Sequence, residues 1–329
     1  MKWLNNLEIK MYEKGNETDI IELFELVFKK KISREFWNWR FINNPWAKGI
    51  IFLAWDNSTL AAHYAVMPIQ LDVSNNFIQS VFSMTTMTHP NYRGRSLFPK
   101  LAKITYEEAR KKGFNLVYGF PNINSHQTFI KKLNWADFGN IPLYKMKLEN
   151  ILEKSSYDQK NLKAEQIQFF DEKINEFWEK AKNNFVIKVP RTKEFLNWRF
   201  KDNPETKYFM FLLKDGNNSV IGYFVLKIYE SNNDIMGHIV DYCLLDYDQF
   251  NCVLLYASEF FEKHKVKELS FWMNRRIFIK LSNKWNKFYQ EESMKTTFIG
   301  YSLFKKFKNS QLLKNLDNYY ITMADSDVF

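Results

Sequence analysis

The stretch of sequence with the clearest chemical content is residues 88–98, THPNYRGRSLF. A turn of this kind between a strand and a helix directs several backbone N–H groups and the positive end of a helix dipole towards one point. Arg93 and Arg95 can add charge-assisted hydrogen bonds, and Gly94 lets the backbone approach a ligand closely. These features predict a binding site for a phosphate or pyrophosphate at this junction.

Hydrophobic periodicity indicates the elements that must position this loop. Residues 77–88 predict a strand that enters it, and residues 97–112 predict a helix that leaves it. Upstream we expect a strand, two helices (19–30 and one capped by Ser33) and a hairpin. Downstream we expect a buried strand, a helix over 122–133 and closing strands within 135–148. The order β-α-α-β-β-β-α-β-α-β predicts a mixed α/β unit.

The sequence contains this unit twice. Residues 35–45 (EFWNWRFINNP) and 194–204 (EFLNWRFKDNP) are identical at eight of eleven positions and are offset by 159 residues. A period of this length indicates a duplicated domain and not a solenoid of short repeats. We predict domains at 1–149 and 164–329, joined by a polar linker over 150–163.

The first copy resembles the GNAT superfamily of acyl-CoA-dependent N-acetyltransferases in its tandem form. HPNYRGRS followed by LFPKLAKITYEEARKKG is similar to the acyl-CoA loop and helix of that family, and YGFPN…FIKKLNW is similar to its next strand and helix. The resemblance covers about residues 1–148. It implies an α/β fold with a mixed sheet, built as a tandem duplication of a GNAT-like domain, and acetyl-CoA or another acyl-CoA as co-substrate.

The same resemblance implies roles for individual residues. The backbone N–H near Met87 is expected to bond the thioester carbonyl, and the strands are expected to separate around Thr86 and Tyr118 to admit the pantetheine arm. The residues implied to bind acyl-CoA are Met87, Thr88, Arg93, Gly94, Arg95, Ser96 and Asn122.

The second copy lacks these features at the corresponding junction. Residues 244–249, LLDYDQ, contain two aspartates and neither glycine nor arginine. Carboxylates next to a pyrophosphate would repel it. We therefore predict that the second domain is degenerate, with an acceptor-site or structural role and no cofactor of its own.

The catalytic groups are less evident than the cofactor loop. Phe129 stands where the family commonly has a tyrosine that protonates the leaving thiolate, and strand 80–88 lacks a glutamate base. Since histidine titrates near neutrality, His126 is a candidate, with Ser125 beside it. Asp325 is a third candidate if the C-terminal segment enters an interdomain cleft and holds a cationic amine; otherwise a solvated tail is expected.

Three residues are candidates for binding the acceptor: Arg40, His63 and Tyr118. Arg40 and its repeat counterpart Arg199 have an alternative role, in which the neighbouring tryptophans pack a shared helix onto the sheet and the arginines bond a carboxylate or a chain end. For His63 the alternative is a strand histidine that points outward.

Composition excludes several classes of protein. The net charge of +10 permits an anionic partner, but the basic residues are scattered and we expect no nucleic-acid partner. Two cysteines and five histidines form no metal-binding pattern, so no metal is expected. No apolar run of about 18 residues and no signal-like leader occur. We therefore expect no membrane span and a cytoplasmic location.

Together these features predict a GNAT-type N-acetyltransferase. It would move an acetyl or similar acyl group from acyl-CoA to an amine of a small acceptor, by direct attack in a ternary complex. An amino sugar for surface glycan synthesis is one candidate acceptor. Two alternatives remain: a Fem-type peptidyl or aminoacyl transferase on the same tandem fold, and a non-catalytic acyl-CoA sensor or scaffold.

Overall fold

The computed structural model of the chain describes residues 7–152, 162–231, 234–282, 289–290, 296–304, 310–327 and 329. Its strands are β1 (Leu7–Met11), β2 (Ile50–Asp56), β3 (Thr59–Val73), β4 (Asn76–Thr88), β5 (Leu116–Gly119), β6 (Ala136–Ile141), β7 (Leu143–Lys147), β8 (Lys163–Ile167), β9 (Ile187–Lys188), β10 (Phe209–Lys214), β11 (Val220–Ser231), β12 (Asp234–Leu244), β13 (Glu268–Trp272), β14 (Tyr289–Gln290), β15 (Thr296–Ser302) and β16 (Tyr319–Tyr320). Its helices are α1 (Glu17–Phe28), α2 (Arg34–Phe41), α3 (Leu97–Lys111), α4 (Ile123–Leu133), α5 (Leu148–Leu152), α6 (Lys173–Ala181), α7 (Lys193–Leu196), α8 (Phe250–Lys263), α9 (Arg275–Ser282) and α10 (Ser310–Leu313).

Contacts divide the chain into two compact units, each assembled from three separate segments. Unit 1 comprises Met1–Leu71, Asn76–Gly139 and Thr297–Leu316. Unit 2 comprises Asp72–Asn75, Asn140–Thr296 and Asp317–Phe329. The predicted domains 1–149 and 164–329 are continuous segments, and the different roles given to them stay a prediction. The predicted linker falls largely outside the part of the chain that the structure describes.

Unit 1 is built around a mixed sheet with the strand order β1-β2-β3-β4-β5-β15-β6. β4 and β5 are parallel, whereas the pairs β1–β2, β2–β3 and β5–β15 are antiparallel. One buried cluster contains Leu101 of α3, Phe129 of α4 and Val117 of β5, so α3 and α4 cover the same face of the sheet. The mixed α/β class predicted from the element order is confirmed.

Local sequence signals locate the helices of unit 1. The ends of α1, α3 and α4 lie within two residues of the predicted ends. Ser33 is the N-cap of α2, and its hydroxyl accepts a hydrogen bond from the Phe36 N–H at 3.0 Å. Asn122 caps α4, since its Oδ1 accepts from the N–H groups of Asn124 and Ser125.

Two strands lie in a different unit from their neighbours in sequence. β15 lies between β5 and β6 in unit 1, and β7, which directly follows β6, lies between β13 and β14 in unit 2. The expectation that residues 135–148 close the first sheet is therefore right for β6 and wrong for β7. Strands pair through backbone groups, so the apolar pattern of a short strand suits either sheet.

Unit 2 repeats the architecture with the strand order β14-β7-β13-β12-β11-β10-β8. β12 and β13 are parallel, and α8 connects them as α3 connects β4 and β5. Val253, Leu254 and Phe261 on α8 pack into the core of this unit. The predicted tandem duplication is confirmed. Among the helices that the structure describes, none has the length and apolar character required to cross a bilayer.

Candidate functional site

The loop over residues 89–96, which joins β4 to α3, contains two residues in the left-handed region of backbone space. Gly94 has a φ of +78° and Ser96 a φ of +57°. A Cβ added at Gly94 would meet no atom within 4 Å, so the loop requires glycine for its backbone angle and not for lack of space. His89 stabilises the turn at the start of the loop, because its Nδ1 accepts a hydrogen bond from the Asn91 N–H at 3.2 Å.

The first turn of α3 presents backbone amides without partners. Ser96 is the N-cap residue but makes no side-chain capping bond, and no acceptor in the described ranges bonds the N–H groups of residues 94–98. Pro99 has no N–H, and the helical pattern begins with the Lys100 N–H to the Ser96 carbonyl at 3.2 Å. Free amides and the helix dipole together make this end of α3 a site for an anion.

The two arginines of the loop have different surroundings. Arg95 donates from Nη2 to the Asn91 carbonyl at 3.1 Å, and its guanidinium lies 4.8 Å from the centroid of the Tyr92 ring. Arg93 is exposed, and its side chain has no hydrogen-bond or ion-pair partner among the residues that the structure describes. Arg93 is therefore the arginine whose donors remain for a bound anion.

The parallel ladder between β4 and β5 is short. Their parallel ladder begins where Ser80 pairs with Leu116 and ends where Phe82 pairs with Tyr118, while β4 continues to Thr88. Residues 83–88 of β4 therefore extend past the ladder with β5. An extended ligand can pair with strand backbone exposed in this way, and the separation expected around Thr86 and Tyr118 stays a prediction.

This part of β4 is also distorted. Thr85 has a φ of +52°, a conformation that is rare and costly for a β-branched residue. His63 on the neighbouring β3 contacts the distortion, since its Nδ1 donates to the Thr85 carbonyl at 2.8 Å. Met87, whose backbone N–H is the predicted donor to a thioester carbonyl, lies two residues further on and is fully buried.

His63 belongs to the interior of unit 1. Its exposed fraction is 1%, and burial lowers its pKa to about 4, so the ring is neutral at physiological pH. Its ring centroid lies 6.3 Å from that of Phe41 on α2. The alternative that His63 points outward from its strand is wrong, because the sheet is covered on this face.

Arg40 and Tyr118, the other two candidates for acceptor binding, also lie in unit 1. The Arg40 guanidinium lies 4.5 Å from the centroid of the Phe36 ring on the same helix. Tyr118 is 3% exposed and stacks on Phe82, with ring centroids 5.4 Å apart and planes 17° apart. Tyr118 is therefore part of a packed aromatic wall at the end of the β4–β5 ladder.

His126 and Ser125 lie in the first turn of α4. The Ser125 hydroxyl donates to Asn122 Oδ1 at 3.1 Å, so it takes part in the helix cap. His126 Nε2 lies 3.1 Å from Asp137 Oδ2 on β6, and the His126 side chain keeps 25% of its surface exposed. Asp137 is not recognisable in the sequence as a partner of His126, because no spacing rule marks a contact between a helix and a later strand.

Phe129 offers no proton donor at the position where the family commonly has tyrosine. It is 5% exposed, and its ring centroid lies 4.9 Å from Phe98 and 4.5 Å from Trp135. The aromatic ring thus packs the α3–α4 interface of unit 1.

A buried cluster of hydroxyls, also missed in the sequence, lies under α3. The Tyr64 hydroxyl is 2.7 Å from Ser83 Oγ and 2.7 Å from the Tyr106 hydroxyl. Burial raises the pKa of Tyr64 and of Tyr106, so both stay protonated. Ser83 is the first residue of β4 beyond the ladder with β5, so the cluster supports the strand where the two separate.

Asp325 is not part of a solvated tail, which corrects the default expectation for the C-terminal segment. It is 6% exposed, and its two oxygens accept hydrogen bonds from Arg191 at 2.9 Å and 2.7 Å. Arg191 is fully buried and also bonds both oxygens of Asp241, at 3.1 Å and 3.2 Å. Because Arg191 donates to both oxygens of the Asp325 carboxylate, we assign Asp325 a structural role within unit 2.

Arg199, the repeat counterpart of Arg40, also has a structural environment. It is 5% exposed and donates to the Tyr208 hydroxyl at 2.8 Å and to the carbonyls of Ala324 and Phe329 at 3.1 Å and 2.6 Å. These contacts agree with the interpretation that the repeated segment packs a helix and bonds the chain near its last residue.

The strand–helix junction of the second copy is built differently from that of the first. Asp246 Oδ1 accepts a hydrogen bond from the Asp248 N–H at 2.9 Å, and the Tyr247 ring centroid lies 5.9 Å from that of Phe185. None of residues 245–249 has a positive φ. A carboxylate thus satisfies an amide here, and aromatic packing supports the turn.

A family comparison gives a match in the N-terminal part of the chain. Residues 8–137 match the family model of the acetyltransferase (GNAT) domain. This segment is therefore similar to a GNAT domain. The match spans the 89–96 loop, the β4–β5 separation and α4, so the resemblance found in the sequence is confirmed. It supports the predicted class of enzyme, a GNAT-type N-acyltransferase. A comparison with curated proteins gives no match.

Solved structures share the fold of the whole chain at low identity. A GCN5-related N-acetyltransferase from Anabaena variabilis ATCC 29413 has a TM-score of 0.69 and 11% identity, over 90% of this chain and 73% of that one. A tandem GNAT protein from the clavulanic acid biosynthesis pathway has a TM-score of 0.61 and 9% identity, over 92% of this chain and 100% of that one.

A third similar structure is the Saccharomyces cerevisiae N-myristoyltransferase with bound myristoyl-CoA. Its TM-score is 0.62 and its identity 12%, over 92% of this chain and 84% of that one. At such identities the likeness shows the fold alone. The chain therefore shares its fold with these acyltransferases, including a protein with two GNAT units.

Proposed function

We propose that this chain transfers an acyl group from acyl-CoA to an amine of a small acceptor by direct attack in a ternary complex. The observation that carries the proposal is the β4–α3 junction of the GNAT domain. There the amides of residues 94–98 have no partner in the ranges described, and Arg93 lies exposed beside them. The pyrophosphate of CoA supplies the negative charge that such donors bind.

The separated part of β4 supports the path of the pantetheine arm. From the 89–96 loop, an extended arm would run along residues 83–88 towards the point where Phe82 pairs with Tyr118. The backbone of Met87 and Thr88 lies along this path, and Asn122 lies at the start of α4 beside the end of β5. The Met87 N–H would polarise the thioester carbonyl in this arrangement.

The chemistry needs two proton transfers. The acceptor nitrogen attacks the thioester carbon, the C–N bond forms, the C–S bond breaks, and the nitrogen loses a proton while the thiolate gains one. Phe129 cannot supply a proton, so we propose His126, held by Asp137 at 3.1 Å, with Ser125 as a weaker donor. A neutral histidine can accept the proton of the amine, and its protonated form can donate to sulfur.

For the acyl group we propose acetyl. Packed aromatic rings lie at the end of the β4–β5 ladder, since Phe82 stacks on Tyr118 at 5.4 Å and meets Phe120 edge to face at 5.7 Å between ring centroids. Such a wall suits a short acyl chain. For the acceptor we propose a small amine, with an amino sugar as the first compound to test. We retain the proposed cytoplasmic location.

Thermal denaturation with acyl-CoA tests the cofactor assignment. Acetyl-CoA should raise the melting temperature of the wild-type chain, and Arg93→Glu should abolish that rise. Lys111→Glu is a matched control, because Lys111 is exposed on the last turn of α3, about 20 Å along the helix from the loop. Acyl-CoA protection that persists in Arg93→Glu, or no protection by any acyl-CoA, would overturn the proposal.

The buried Phe129 also favours a second candidate, a non-catalytic acyl-CoA sensor, since the usual proton donor is missing. Thiol release measured across a panel of amines separates the two. Turnover with any amine supports the transferase. Acyl-CoA binding without turnover across the panel supports the sensor.

A further inference from the structure

The contact between His63 and Thr85 is a feature of the GNAT domain that the proposed function leaves unexplained. His63 Nδ1 lies 2.8 Å from the Thr85 carbonyl oxygen. A carbonyl can only accept, so Nδ1 carries the proton and Nε2 is an unprotonated acceptor. His63 is 1% exposed, and Nε2 is buried without a hydrogen-bond partner in the described part of the chain. The structure therefore retains a costly polar group here.

Thr85 needs to be held in place. With a φ of +52°, this β-branched residue has a strained backbone conformation. Such strain persists only where surrounding contacts over-determine it. The distortion lies within residues 83–88, which have left the β5 ladder, so β5 does not hold it. The His63 hydrogen bond comes from the other neighbouring strand.

The position of the strain matters for the backbone beyond it. A left-handed residue within a strand re-aims the amides and carbonyls that follow it. Thr86 and Met87 follow directly, and the Met87 N–H is the proposed donor to the thioester carbonyl. A donor of this kind must be held to within about 0.5 Å to be effective.

We propose that His63 is a positioning residue for the acyl group: through Nδ1 it fixes the Thr85 distortion and so aims the Met87 amide at the thioester carbonyl. This inference rests on the proposed acyl transfer. His63 contacts neither the acyl group nor the acceptor. It acts through the backbone of β4, and its role is to lower the barrier of the chemical step once acyl-CoA is bound.

Two substitutions of His63 separate the contribution of Nδ1 from that of Nε2. In His63→Asn the amide nitrogen can take the place of Nδ1 and donate to the Thr85 carbonyl. In His63→Gln the longer side chain carries its amide to the place of Nε2. His63→Phe fills the same volume with no donor. If the Nδ1 bond is the important feature, Asn retains most of kcat, whereas Gln and Phe lose about tenfold to a hundredfold in kcat with an acyl-CoA KM changed by less than threefold.

Several outcomes would overturn the inference. Wild-type kcat in His63→Phe would show that the bond is unnecessary, and equal losses in Asn and Gln would show that Nδ1 is not the important atom. A rise in acyl-CoA KM with kcat unchanged would indicate a binding role instead. Melting temperatures of all three variants show whether a loss reflects unfolding, and Asn with a lowered melting temperature but retained kcat would still support positioning.

Thr85→Gly provides an independent test. Glycine adopts a positive φ without strain, so the distortion depends less on its tether, and His63→Phe should reduce kcat less in this background than in wild type. Additive effects in the double mutant would contradict the inference.

A measurement that does not depend on enzyme activity can test this inference separately from the proposed function. Nitrogen-15 NMR of the imidazole should show the Nδ1–H tautomer in the free protein, and an Nε2–H tautomer would refute the positioning contact. Failure of every acyl-CoA to bind would overturn the proposed function while leaving that NMR result intact.

Discussion

Strands β4 and β12 each lead through a short loop into a long helix, and the two junctions satisfy their backbone groups in opposite ways. In unit 1, Gly94 and Ser96 have left-handed backbones, and the first amides of α3 have no partner within the ranges described. In unit 2, Asp246 provides its own acceptor for the Asp248 amide. The first junction thus leaves donors that suit an anion, whereas at the second junction a carboxylate already accepts from the backbone.

The two copies also differ beside these strands. In both, the parallel ladder ends midway, at Phe82–Tyr118 in unit 1 and at Ile239–Phe271 in unit 2. Beyond that point in unit 2, the C-terminal segment 319–327 bonds to β12, since Thr322 Oγ1 donates to Asp241 Oδ1 at 2.7 Å.

Arg191 adds the ion pairs that hold this segment, between Asp241 and Asp325. Burial raises the pKa of Asp241, so its ionised form depends on that arginine. The comparison teaches that a duplicated fold can retain its strands and helices while its own chain takes the place of a ligand. The acyl-CoA chemistry proposed for unit 1 would then require one equivalent of cofactor per chain.

The largest effect is expected from removing Arg191. Arg191→Ala leaves two buried carboxylates, Asp241 and Asp325, without their cation, which should cost about 3–5 kcal/mol of unfolding free energy. Denaturant unfolding measures it. Arg276→Ala is the matched control, since Arg276 pairs with Asp317 at 3.4 Å on the surface with 67% of its side chain exposed. An exposed pair contributes about 0–1 kcal/mol, and equal losses in the two variants would break the comparison.

The pH dependence of stability comes next in size. Burial lowers the pKa of His238 in unit 2 to about 3. Between pH 6.5 and about 3 the unfolded chain therefore binds a proton that the folded chain does not, so stability falls as the pH is lowered. By pH 5 the loss from His238 should be about 2 kcal/mol. His238→Gln should remove about 2 kcal/mol of the fall between pH 7 and pH 5 and leave the part that the buried His63 contributes, and the exposed His264→Gln is the matched control.

Gly94→Ala tests the first junction and should lower its affinity for acetyl-CoA by about one order of magnitude. Alanine at a φ of +78° is strained by about 1 kcal/mol, and the distorted loop should bind acetyl-CoA about tenfold more weakly by calorimetry. Gly113→Ala is the matched control, because Gly113 has a φ of +85° and equally open space but lies at the far end of α3. A similar loss of affinity in both variants would show that strain alone, and not the loop, governs binding.

The smallest effect compares the N-caps of the repeated segments. Ser33 Oγ lies 3.0 Å from the Phe36 N–H nitrogen, and Thr192 Oγ1 lies 3.4 Å from that of Phe195. Ser33→Ala should cost about 1 kcal/mol of unfolding free energy, and Thr192→Ala should cost less, because its hydrogen bond is longer. The exposed turn residue Ser58→Ala is the control, with a change within about 0.5 kcal/mol. The reverse order would mean that the second copy depends more on its cap.

Features that depend on neighbouring residues were predictable from the sequence. Helix ends near Ser33 and Asn122 follow from capping chemistry within three residues. Gly94 in the 89–96 loop indicates a left-handed backbone, which the structure has. The duplication itself was recognisable in the sequence, because the repeated segments lie at a fixed offset. For these reasons the predictions of a mixed α/β class, a tandem form and a loop between β4 and α3 agree with the structure.

Contacts between distant residues could not be read in this way. Arg191 and Asp325 are 134 residues apart, and the His126–Asp137 pair joins a helix to a strand with no fixed spacing. The expectation that Asp325 lies in a solvated tail was wrong for the same reason. Polar residues near a terminus do not show that a buried arginine elsewhere in the chain will pair with one of them.

The sequence by itself determined which groups this protein has available: the Arg-Gly-Arg loop, the repeated helices and a phenylalanine where a proton donor is usual. Tertiary structure alone decided where they act. It placed β15 in unit 1 and β7 in unit 2, and it buried His63 against a strained Thr85. The physical reason is that caps and turns are formed by residues close in the chain, whereas strand pairing and buried polar contacts depend on which distant segments meet.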